Sequence, residues 1–383
     1  VAEGTTVTDR DRLSLFLCGD VMTGRGVDQI LPHPSLPGLH EQYLTSALDY
    51  VALAEKVSGP IPRPVDYAYV WGEARAVMER ERPDVRIVNL ETSITSSEAA
   101  WPKGINYRMH PANVPVLQAA GIDCCVLANN HVLDWGRVGL VETVETLTGA
   151  GVRVAGAGPN LTAAQAPAVL EVGSGNRVLV FGFAAADTGI PSEWGADQAQ
   201  PGIHLLLDFS DKSVAEIATL VLATKRPGDI AVASVHWGGN WGYDVPATHR
   251  RLARALVDHA SIDVVHGHSS HHPKAIEVYR GHPILYGCGD FLDDYEGISG
   301  FERFRDDLVL MYFLTLETLT GELVELRMVP FQIRRISLQQ PSDADRAWLR
   351  DTLDRECGRF GSRVALAGGE LVLQWRHNGS GRC

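Results

Sequence analysis

The chain has 383 residues, 45% of them hydrophobic and 21% charged, and a formal net charge of −13. This is ordinary globular composition, enough for one large α/β domain or two average ones. The acidic balance excludes a general nucleic-acid binder, which needs a basic footprint, so an anionic substrate would require a local cationic pocket.

In chain order, the first residues lack a basic segment followed by an apolar stretch and a small-residue cleavage site. No run reaches the roughly 18 apolar residues of a membrane span. The expectation is a cytoplasmic protein with no membrane partner. The first element is "LSLFLCGD", an apolar run that stops at Asp20. Residues 31–70 are Pro-rich ("LPHPSLPGL", "GPIPRPVDY") around a predicted helix, and read as an insertion over the site edge.

The pattern then repeats: "VRIVNLE" stops at Glu91, and "IDCCVLANNH" at Asn130 and His131. "DIAVASVHWG" stops at His236, and "IDVVHGHSSH" at His268 and His271. Helical patterns such as "GLVETVETLTGAG" and "VPATHRRLARALVDHA" lie between them, so the runs read as buried strands of an α/β protein. In such sheets ligands bind beyond the carboxyl ends of strands. Alone, each Asp or Asn is a turn former and each His a structural residue. Five strands ending in ligand-competent types point together to a metal site.

Between positions 266 and 282 the chain places His266, His268, His271, His272 and His282, five of its 14 histidines. Further on, "PSDADRAWLRDTLDREC" predicts a helix capped at Ser342 or Asp343, and "RVALAGGELVLQWR" a hairpin turning at Gly368-Gly369. The six cysteines show no metal-finger spacing and read as reduced core thiols.

The ordered set "GDVMTGR … NLETSIT … ANNHVLDWG … HWGGNWG … GHSSH … YGCGDF" resembles the poly-γ-glutamate capsule biosynthesis (CapA-like) family, a branch of the calcineurin-like metallophosphoesterase superfamily. The resemblance implies a two-sheet β-sandwich flanked by helices over residues 1–333. Residues 334–383 then form a helix-hairpin extension packed on that domain. It implies Asp20, Glu91, Asn130, His236 and His268 as metal ligands and His131 as an acid/base.

This chain departs from the pattern at three places. Met22 stands where the superfamily has a ligand His, "GHSSH" carries one extra residue, and Asp290 replaces a usual Asn. A thioether is a poor ligand for hard ions, so the expectation is one divalent ion per chain, Ca or Mg before Mn or Zn, and no organic cofactor. The released imidazoles then suit proton transfer, as two His–carboxylate pairs: His131 with Asp134 or Asp20, and His271 with Asp290. Arg25, just after Asp20, is the expected cation for a substrate carboxylate.

One soluble branch of the family comprises the lasso-peptide epimerases, which invert the Cα of a precursor's C-terminal residue. This resemblance implies a metal-dependent peptide epimerase whose partner is the C-terminal segment of a precursor peptide. The alternatives are a metallohydrolase of phosphoesters or γ-glutamyl-type amides, and a non-catalytic accessory protein of polyglutamate assembly.

Overall fold

The computed structural model describes residues 12–173 and 175–376. The chain first lays down β1 (Arg12–Val21), β2 (Val85–Leu90), β3 (Cys124–Val126) and β4 (Arg153–Ala155), side by side and parallel. It then builds a second sheet from β5 (Ala168–Val172), β6 (Asn176–Ala185), β7 (Leu205–Leu206), β8 (Ile230–His236), β9 (Val264–His268), β10 (Ile276–Tyr279) and β11 (His282–Leu285). The chain returns to the first sheet with β12 (Asp290–Leu292), β13 (Leu308–Glu317), β14 (Leu323–Ile333), β15 (Leu338–Gln339), β16 (Ser362–Ala367) and β17 (Glu370–Trp375).

Period-two alternation makes β1 a strand with two buried faces. Leu13, Leu15 and Leu17 enter the layer between the sheets, while Phe16 and Cys18 face the opposite layer. The inter-sheet core joins Leu15, Ile87 and Val126 to Val180, Val232 and Val264. Helices cover the outer faces. Leu140 and Leu147 of Gly136–Gly149 pack in the layer outside the first sheet. Val221 of Asp211–Thr224 and Leu256 of Ala247–Ala260 pack outside the second. The result is a mixed α/β sandwich between helices.

Parallel register sets the site. Asp20 lies opposite both Asn89 and Asp290, and His236 lies opposite His268. The insertion contains the expected helix, Ala47–Ser58.

The C-terminal helix runs Asp343–Gly358, with a capping box between Ser342 and Asp345. The hairpin turns where Gly368 and Gly369 have φ of +59° and +88°, a conformation that suits a two-residue turn. The hairpin of the 334–383 extension packs on the domain edge-on: β17 pairs with β14 at Arg327↔Val372 and so continues the first sheet. Leu349, Leu353, Val364 and Leu371 complete the inter-sheet core.

The five described cysteines are free and buried, and Cys383 lies outside the described residues. Among the described residues no helix is long and apolar enough to cross a membrane.

Candidate metal centre

Asp20 is held at the meeting point of β1 and β12. Its N–H donates to the Gly289 carbonyl at 2.9 Å, and a Cβ on Gly19 would come within 1.6 Å of that same oxygen. Only glycine permits this approach. Asn89 donates Nδ2–H to Asp20 Oδ1 at 2.7 Å, and the Ser269 N–H reaches Oδ2 at 3.2 Å. Ser269 does so with φ of +96°, so the extra residue of "GHSSH" is absorbed in a left-handed turn that aims a backbone donor at the site.

Two groups of potential ligands share Asp20. One is Asp20, His236 and His268; the other is Asp20, His271 and Asp290. Within each, the ligand atoms lie within 4.8 Å of one another. Glu91 approaches Asp20 closely enough to perturb it by side-chain hydrogen bonding. Burial first, and then Asp20, pushes Glu91 and Asp290 well above the ordinary carboxylate range, and burial raises Asp20 too. Like charges at close quarters without a cation are costly, and a divalent ion relieves that cost.

Hydrogen-bond accounting leads to the same place. Glu91 Oε2, Asn130 Oδ1, His236 Nε2 and Asp290 Oδ2 are buried with no hydrogen-bond partner. Buried polar atoms are normally paired, and three of these orphans, on Glu91, His236 and Asp290, belong to residues gathered around Asp20, which fits a missing common partner. Asn129, by contrast, is spent on structure: it donates to Asn89 Oδ1 and Leu90 O, and accepts from the N–H groups of His131 and Val132.

The histidine tautomers follow from a chain of contacts. His266 Nε2 lies 2.6 Å from the Cys18 carbonyl, which can only accept, so Nε2 carries the proton and Nδ1 is a lone pair. Ser234 lies 2.9 Å from that Nδ1 and must donate to it, which leaves its oxygen to accept from His268 Nε2–H at 3.0 Å. His268 Nδ1 is therefore a lone pair, 2.9 Å from His236 Nδ1 and 3.8 Å from Asp20 Oδ1. It is a metal ligand in the making.

Two His–carboxylate pairs flank the cluster. His131 Nδ1 meets Asp134 Oδ2 at 2.6 Å, which leaves Nε2 facing Glu91 Oε1 at 3.7 Å. Burial lowers His131 to about 4, so the ring is neutral at pH 7. His271 Nδ1 meets Asp290 Oδ1 at 2.9 Å, and its Nε2 meets the Asn240 amide at 3.0 Å. Of the two partners considered for His131, the structure thus selects Asp134.

A profile of the bacterial capsule synthesis protein PGA_cap matches residues 14–295. The chain belongs to this family.

Among relatives of the capsule synthesis family, the chain is 51% identical to a "Probable polyglutamine synthesis accessory protein" of Mycobacterium tuberculosis, over 94% of this chain and 96% of that protein. It is 26% identical to the "PGA biosynthesis protein CapA" of Bacillus subtilis, over 79% of this chain and 68% of that protein. The likeness to the "Capsule biosynthesis protein CapA" of Bacillus anthracis is also 26%, over 80% of this chain and 65% of that protein.

Within this member of the capsule synthesis family, the loss of a ligand at Met22 looks different in three dimensions. Met22 is buried, with its sulfur 3.5 Å from the Tyr295 hydroxyl. Asp290 and His271 form a second candidate ligand group with Asp20, beside that of His236 and His268. The mixed carboxylate and imidazole donors fit a divalent metal.

Arg25 needs the clearest correction. Its guanidinium is buried and pairs with both oxygens of Asp294, with Glu41 at 3.0 Å and with the Tyr50 hydroxyl at 2.9 Å. It also lies over the rings of Tyr50 and Tyr107. A cation already compensated by two carboxylates is a poor receiver for a third, so Arg25 braces the insertion against the loop after β12. Sequence reasoning missed Lys103, whose Nζ sits 2.7 Å from Asp134 Oδ1 and 2.5 Å from the Asn130 carbonyl. It also missed Asn89 and Ser234, although both stand at strand ends beside residues it selected.

Proposed function

We propose that this chain is a metal-dependent accessory protein of polyglutamine- or polyglutamate-type polymer synthesis, and that it hydrolyses amide bonds of such a chain. The relatives' names supply the polymer. The observation that carries the chemistry is Asp20 shared between two ligand groups, with unpaired buried atoms of Glu91, His236 and Asp290 around it.

Asp20, Glu91, Asn130, His236 and His268, with Asp290 beside them, would hold a divalent cation, which when bound would supply Lewis acidity toward the amide carbonyl. The protein's own part is proton handling. Asp134 accepts from His131 Nδ1–H and so presents Nε2 toward the cluster as a lone pair, where it can take a proton from the attacking water and then pass it to the departing amine nitrogen. Asp290 likewise orients His271, whose Nε2 is held by the Asn240 amide at the edge of the neighbouring pocket.

A second reading rests on those same pairs, since two oriented imidazoles also suit inversion at Cα by one base and one acid, as in a peptide epimerase. The two separate in one experiment. Glutamine and glutamate oligomers are incubated in heavy water with the Mn²⁺-loaded protein, then analysed by mass spectrometry. Shortened oligomers, abolished by chelation and restored by Mn²⁺, are the expected result. Cα deuterium without shortening selects the epimerase, and neither product selects a non-catalytic accessory role.

A further inference from the structure

A cavity of about 510 Å³ opens directly on His271, in the range of small-ligand sites. Its floor includes Asn240, which caps His271 Nε2, and the Tyr107–Tyr295 hydroxyl pair at 2.7 Å. One wall is Trp241 stacked on Phe301, with centroids 4.0 Å apart and planes within 5°. Its lining includes four of the large apolar side chains that the molecule leaves exposed: Tyr43, Ile105, Ile298 and Phe301. Tyr43 is 92% exposed. Exposed apolar groups gathered around one pocket mark a binding surface.

Its charge is the informative part. The lining includes one guanidinium, Arg25, already committed to Asp294 and Glu41, and two carboxylates, Glu41 and Asp306. Lys103, the other cation near the centre, is paired with Asp134. A polyanionic chain would meet Asp306 and find no lining cation left to pair with. Neutral side chains with methylene stems would lie across the Trp241–Phe301 wall at no electrostatic cost.

We infer that this pocket binds an uncharged peptide segment and discriminates against a polyanionic one, delivering a backbone or side-chain carbonyl toward His271. The inference rests on the peptide-polymer reading above but not on bond cleavage. For a chain of the polyglutamine and polyglutamate kind, it assigns the amide form as ligand and makes polyglutamate a poor one.

Binding of terminally blocked pentamers of glutamine and of glutamate to the full chain, by calorimetry at low salt, tests this. The glutamine pentamer should bind at least about tenfold more tightly. Trp241→Ala and Phe301→Ala should each weaken it by about tenfold, while Trp241→Phe, which keeps a ring against Phe301, should stay near wild type. Asp306→Lys should tighten the glutamate pentamer about fivefold or more and leave the glutamine pentamer little changed. The inference is overturned if glutamate binds as tightly as glutamine, if neither binds, or if folded Trp241→Ala binds like wild type. Should Trp241→Ala fail to fold, Asp306→Lys decides. Bound but uncleaved glutamine would sink the hydrolase and leave the pocket. Cleavage of glutamate oligomers that ignores Trp241→Ala would do the reverse.

Discussion

Single atoms decide most of what this centre can do. The Cys18 carbonyl, through His266 and Ser234, forces a lone pair onto His268 Nδ1, so residues that touch no substrate set the state of a ligand. Partners of this kind are worth about 10–100-fold in metal affinity. Ser234→Ala and His266→Phe should each weaken Mn²⁺ binding by that order in calorimetric titration, with the fold intact by circular dichroism. Because both act through one chain of bonds, the double variant should be little worse than either single one. Additive losses would show that the two residues act separately. Arg25 teaches the converse: its charge was visible in the sequence, but its three-dimensional partners decide that it braces rather than binds.

Among the elements, the C-terminal helix and hairpin change most between expectation and structure. The helix starts where Ser342 accepts from the Asp345 N–H and Asp345 reaches back to the Ser342 N–H. Ser342→Ala should therefore cost about 1 kcal/mol in urea-induced unfolding. Since this helix packs Leu349 and Leu353 into the inter-sheet core, the loss should appear in the global transition rather than as local fraying. A separate early transition would restore the view of the segment as an appendage. The insertion at 31–70 is the opposite case: its helix places Tyr50 and Leu53 along the pocket, so an element outside the sandwich helps build the binding surface.

For the whole molecule, burying neutral histidines makes stability depend on pH. Burial lowers His204 and His266 from 6.5 to about 4. Between those values the unfolded chain binds protons that the folded chain refuses, so stability is full above about pH 6.5 and falls as pH drops toward 4. Each contributes on the order of 3 kcal/mol over that window. Because the raised carboxylates of the centre work in the opposite sense, the His204 share is read by difference: from pH 7 to pH 5, His204→Gln should lose less of its urea midpoint than wild type. A slope unchanged in His204→Gln would show that His204 is not held neutral.

What the sequence determined by itself was the alternation of buried strands and helices, and the polar types at strand ends. Both are local patterns with a fixed period: 2 for a strand, 3.6 for a helix. Asp20, Glu91, Asn130, His131, His236 and His268 could be picked out because each ends an apolar run. Only the tertiary structure decided which of them share an atom's reach. The register of β1 against β2 and β12 puts Asn89 and Asp290 beside Asp20, and the left-handed turn at Ser269 carries His271 there too. Strand order decided that the last hairpin joins the first sheet. Pairing of charges depends on contacts far apart in the chain, such as Arg25 with Asp294, and no local periodicity encodes them.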